Sequence, residues 1–133
     1  MLRERKFAIA FLGWMLFVTY SSLATFPETE ASRINIPNLD KVVHFTFYFV
    51  AVILAVFSIR EMTKGNFPLK KALLISVIGA IFFGIIIEVV QYSFTTDRHG
   101  DVFDALANSF GALVGGWVMK SFFWKQRRLK WKN

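Results

Sequence analysis

Four stretches of this chain, Phe7 to Phe26, Lys41 to Ile59, Ala72 to Phe94 and Val102 to Trp124, are dominated by apolar residues over a membrane-spanning length. A bilayer core of about 30 Å is crossed by roughly 20 such residues in a helix. Hydrocarbon offers a backbone no hydrogen-bond partner, so segments of this kind satisfy their own amides as helices. The expected architecture is therefore an all-α, integral membrane four-helix bundle. It forms a single membrane domain over residues 1–133, with a basic tail at 125–133. Breaker chemistry separates the spans: Pro27 and Pro37, then Gly65, Asn66 and Pro68, then the short polar run from Thr95 to Gly100. With 55% hydrophobic and 19% charged residues, a disordered or heavily solvated chain is excluded. The absence of cysteine removes disulfides, thiolate metal sites and a cysteine nucleophile.

The charges lie unevenly. Arg3, Arg5 and Lys6 precede the first span, Arg60, Lys64, Lys70 and Lys71 fill the second connector, and a further set runs from Lys120 onward. Of the 16 Lys and Arg, only Arg33, Lys41 and Arg98 fall on the other side, among Glu28, Glu30, Asp40, Asp97 and Asp101. By the positive-inside rule both termini are expected in the cytoplasm, with the first and third connectors outside. The net charge of +7 then encodes orientation, and no nucleic-acid partner is expected. Residues 1 to 24 could also be read as a cleaved leader ending at Ser22-Leu23-Ala24, but the apolar stretch is longer than a usual h-region.

Ionisable and amide groups inside spans need a reason, because a charge at the bilayer centre costs about 3 kcal/mol on insertion scales. The second span carries His44 and Tyr48 after Asp40, the third Glu88 and Gln91, and the fourth Asp104 and Asn108 after Asp101. Each set has i to i+3 or i+4 spacing and so shares one helix face. Each stripe continues in small or apolar residues: Ile81 and Gly84 on the third span, Gly111 and Gly115 on the fourth. Gly111 and Gly115 form a small-xxx-small pair suited to close backbone approach, as do Ala51 and Ala55 below Tyr48. A six-residue third connector makes the third and fourth spans neighbours, which would set Glu88 and Gln91 level with Asp104 and Asn108. With Tyr20, Ser21 and Ser22 from the first span, these groups are expected to line a pocket in the outer half, rimmed by Arg98, His99 and Lys41.

On these residues the chain resembles the VanZ-like family of small bacterial membrane proteins. The match rests on Ser21-Ser22, Asp40-Lys41 with His44 and Tyr48, Glu88 and Gln91, then Arg98, Asp104, Asn108, Gly111 and Gly115, and omits the second connector and the tail. Asp101 and His99 stand outside that pattern. The resemblance implies a multi-pass protein of the bacterial cytoplasmic (inner) membrane and an effect on glycopeptide susceptibility, since the family is named for a member linked to teicoplanin resistance. It implies no reaction and no catalytic residue.

A polar network serving only helix packing explains the same residues without a ligand. The leading functional expectation is a site for the polar head of an amphiphile: a membrane lipid, a lipid-linked envelope precursor or a lipoglycopeptide. Arg98 and Lys41 would attract an anionic head, Gln91, Asn108 and Tyr48 would orient it, and Glu88 and Asp104 would hold Arg98. Two other classes remain. Glu88, Asp104, Asp101 and His44 could ligate a divalent cation for hydrolysis, or His44, Glu88 and Asp104 could relay protons. Walker, GxGxxG, HExxH and Ser-His-Asp patterns are missing, so no cofactor is expected. Nothing in the sequence selects an oligomeric state.

Overall fold

The computed structural model describes residues 4–24, 37–94 and 101–125. They form four α-helices: α1 (Lys6–Leu23), α2 (Leu39–Thr63), α3 (Leu69–Phe94) and α4 (Val102–Lys125). All four are long and apolar enough to cross a membrane. α2 starts two residues before the expected span and runs four beyond it, while α3 starts three residues early. The expected end of the first span at Phe26 lies outside the described residues.

Local chemistry sets the helix ends. α2 stops where Lys64 and Gly65 both turn left-handed, at φ 51° and 73°. There the Gly65 amide donates to the Arg60 carbonyl at 3.0 Å and the Lys64 amide to Glu61 at 3.4 Å, the paired bonds of a Schellman stop. α4 starts on Asp101, whose Oδ1 accepts the Phe103 amide at 3.0 Å and so satisfies one of the helix's free N–H groups. α1 has no cap of its own. Its first amides, Phe7 and Ala8, donate to the Glu61 carboxylate of α2 at 2.9 and 3.1 Å.

Around the bundle the order is α1, α2, α4, α3, with α2 and α3 also meeting across the middle. The α2–α4 pair packs most extensively and the α1–α3 edge least. Glycine explains the tight pair. A Cβ at Gly111 would collide with the Phe45 carbonyl oxygen, and one at Gly115 would lie 2.9 Å from that of Phe49. α4 thus rests directly on two successive turns of α2 backbone. The core beneath holds Val18, Tyr48, Val52, Val56, Ala112 and Met119. Large side chains such as Leu16, Phe82 and Trp117 point outward, as they do where lipid replaces water around a bundle.

Ala51 and Ala55 behave differently from Gly111 and Gly115. Instead of receiving a neighbouring backbone, they line an apolar groove with Phe11 and Met15 of α1 and Gly79, Ala80 and Phe83 of α3. Gly79 and Ala80 of α3 are small too, and a Cβ built on Gly79 meets nothing within 4 Å.

One end of the bundle gathers the start of α1, the end of α2 and the end of α4, as the Phe7–Glu61 bond and the Phe57–Phe122 and Phe57–Phe123 ring contacts record. Arg60 lies over the Phe123 ring at this end. The ionisable and amide residues His44, Glu88, Gln91, Asp104 and Asn108 occupy the opposite end.

Candidate functional site

At that opposite end, Asn108 of α4 is 99% buried and links two other helices. Its Oδ1 lies 3.0 Å from His44 Nδ1 of α2, and its Nδ2 donates to Glu88 Oε1 of α3 at 3.3 Å. An Asn Oδ1 can only accept, so this contact makes His44 Nδ1 the protonated nitrogen. Nε2 then faces Asp104, whose Oδ2 is 3.8 Å away. His44 Nδ1 is also 3.6 Å from Glu88 Oε1. Glu88 and Asp104 are both more than nine-tenths buried, and the second Glu88 oxygen accepts the Asp101 amide at 3.3 Å. The start of α4 is in this way tied to α3.

Lys41 closes the outer edge. Its ammonium lies 2.8 Å from Asp40, 3.1 Å from Asp104 and 3.6 Å from Asp101. The sequence places Lys41 on the rim to attract an anionic head; here its charge is spread over three carboxylates. Four carboxylates thus surround one ammonium and one imidazole. Grouping carboxylates at a membrane boundary is unfavourable unless cations compensate them.

Gln91 departs from the expected layout. It sits one turn beyond Glu88, yet its Nε2 donates to the Ser22 backbone carbonyl of α1 instead of meeting α4. At 100° per residue, an i+3 neighbour is rotated about 60° from its partner, enough to send Glu88 toward α4 and Gln91 toward α1. Tyr48 is 1% exposed, its ring lies 3.1 Å from the position of a Cβ on Gly84, and its hydroxyl has no hydrogen-bond partner among the described residues. Tyr20 projects outward, whereas Ser22 is buried. Arg98 and His99 lie outside the described residues.

His44, Glu88 and Asp104 each offer one ligand atom, and these atoms lie within 4.8 Å of one another. Oxygen ligands bind Ca²⁺ at 2.3–2.6 Å, so opposed ligands stand up to about 5 Å apart. The spacing would admit a divalent cation, and the imidazole nitrogen among the three suits a transition metal better than Ca²⁺.

A family model described as VanZ/LLP1 matches residues 4–124, nearly the whole chain. The chain belongs to the VanZ/LLP1 family. As a member of that family it is a multi-pass membrane protein, in agreement with its four apolar helices. No curated protein and no solved structure is significantly similar to it. The match covers every described polar residue of the VanZ/LLP1 chain named above and stops at Trp124.

Two contacts that fix the bundle escaped the sequence reading. Trp14 Nε1 donates to the Phe47 carbonyl at 2.9 Å, and Glu61 caps α1. A Trp within an apolar span and an acid at the end of another are common enough to pass as interfacial residues.

Proposed function

We propose that this VanZ/LLP1 protein binds the polar head of an outer-leaflet amphiphile at the His44, Glu88, Asp104 and Asn108 cluster. The ligand class is a lipid-linked envelope component or a lipid-tailed glycopeptide antibiotic, the second giving a role of the teicoplanin-resistance type. One observation carries this reading: hydrogen-bonding side chains from α2, α3 and α4 meet at one end of a bundle whose mid-span outer surface is apolar. Such a site matches a molecule with a polar head and a hydrocarbon tail.

The proposed orientation follows from charge. Arg60 and Lys64 at the end of α2, Lys70 and Lys71 at the start of α3 and Lys120 on α4 stand at the end opposite the cluster. In the bacterial cytoplasmic membrane the positive-inside rule puts that end in the cytoplasm and the cluster outside. Because the chain has no cysteine, single cysteines test this directly. A membrane-impermeant maleimide added to intact cells should label Val102→Cys and spare Lys64→Cys.

Lipid co-purification tests the binding itself. Arg98→Ala and Asn108→Leu should lose a lipid that the wild-type protein carries through gentle extraction. Unchanged lipid in both variants removes the proposal.

The 4.8 Å grouping of His44, Glu88 and Asp104 favours a second reading. In it a divalent cation held by these side chains activates water for hydrolysis of a phosphoester or amide. Stoichiometric metal in the purified protein, lost in Glu88→Gln, is the expected result. Full activity in metal-free protein eliminates it.

A further inference from the structure

A groove at the α1–α3 edge is not used by the polar cluster. Its volume is about 350 Å³, and its walls are almost wholly apolar. Ala51, Ala55 and Ser58 of α2 form one wall and Ser76, Gly79 and Ala80 of α3 form the other. A Cβ built on Gly79 meets nothing within 4 Å. From Ala51 to Ser58 the wall runs about 10 Å along the helix axis at 1.5 Å per residue.

We propose that this groove seats one extended hydrocarbon chain of the amphiphile whose head the polar cluster binds; the inference thus rests on the head-group reading. Three features select that occupant. The groove lies at the depth of the spans, where the surroundings are hydrocarbon and water is absent. Six of its eleven lining residues are small, on the facing sides of α2 and α3, and a bundle that excluded lipid would have closed the space between them with larger ones. Its upper end is Phe83 and Ala51, which flank Tyr48: the Phe83 and Tyr48 rings lie 6.5 Å apart, and Ala51 is one turn below Tyr48 on α2. Tyr48 in turn packs on Gly84, one turn from Glu88. Groove and cluster therefore share a boundary at Tyr48, with the apolar compartment deeper in the membrane and the polar one nearer its surface. Above the groove, the bond from Gln91 to the Ser22 carbonyl ties α1 to α3, so a chain enters from the side.

The test uses the full chain in nanodiscs of dioleoylphosphatidylglycerol, released into a mass spectrometer at collision energies that strip loosely held lipid. Wild-type protein should keep one lipid molecule. Gly79→Phe and Ala55→Leu, which fill the groove, should each lower the retained fraction about tenfold, whereas Gly79→Ala keeps it. Dibutanoylphosphatidylglycerol, with the same head and truncated chains, should bind all of these proteins alike. Melting temperatures establish that the filled variants fold. Wild-type protein that keeps no lipid, or filled variants that keep as much as wild type, overturns the proposal. Glu88→Gln separates the two readings. If it loses lipid while the filled variants retain it, the head site stands and the groove falls; the reverse pattern keeps the groove and removes the head site.

Discussion

Asn108 donates to Glu88 across 3.3 Å inside a membrane-spanning bundle, and its other amide atom contacts His44. One neutral side chain thus connects the ionisable groups of two helices.

Replacing Asn108 with Leu removes both contacts and leaves Glu88 and His44 facing an alkyl group. A buried polar group stripped of its partner costs about 1–3 kcal/mol, so Asn108→Leu should melt well below the wild type in detergent. Asn108→Gln should recover part of the loss, because it restores an amide. A melting temperature equal to wild type would show that the contacts contribute nothing to stability.

Lys41 is the ammonium shared by Asp40, Asp101 and Asp104. Lys41→Ala leaves three like charges grouped without it, and the variant should be less stable than wild type. Millimolar Ca²⁺ should raise the melting temperature of the variant more than that of the wild type, because an oxygen-binding cation can take the vacated place. Equal Ca²⁺ responses would show that the carboxylates do not act together.

Gly111 lies against the backbone of Phe45 with no room for a methyl group. Gly111→Ala should push α4 off α2 and cost about 1–3 kcal/mol, the usual range for overpacking. Gly13 is the internal control. A Cβ there meets nothing within 4 Å, and Gly13→Ala in mid-helix should be neutral or stabilising by up to about 1 kcal/mol. Denaturation of the two variants in the same detergent compares them.

Glu61 receives two free first-turn amides of α1, those of Phe7 and Ala8. Glu61→Ala should cost about 1 kcal/mol, typical of a lost helix cap, and speed hydrogen exchange at Phe7 and Ala8. Glu61→Gln keeps an acceptor oxygen and should protect those amides better than alanine, though less than the carboxylate, whose charge also suits a helix N-terminus.

The four helices and the level of the polar cluster were legible in the sequence because both depend on local counts: twenty apolar residues per crossing, and three or four between polar ones. Those counts found His44, Glu88, Asp104 and Asn108. They did not fix direction around the bundle. Gln91 shares the Glu88 stripe, yet the rotation between them sends it to α1. Lys41 reads as a rim cation because, of the three carboxylates it meets, only Asp40 is its neighbour in the chain, while Asp101 and Asp104 are some sixty residues away. The alanine pair and the glycine pair carry the same spacing. Gly111 and Gly115 meet a backbone while Ala51 and Ala55 meet a space, since the facing helix decides which occurs. Asp101, without a place in the family pattern, acquires one as the cap of α4.

With its glycines seated on successive turns of α2, α4 cannot slide along or roll over its neighbour. The pair acts as a fixed post, and α1 is the element free to adjust. It is pinned at its foot by Glu61, at its middle by Trp14 and at its top through Ser22. Loosening α1 requires releasing those contacts, and the topmost, from Gln91 to the Ser22 carbonyl, lies above the groove.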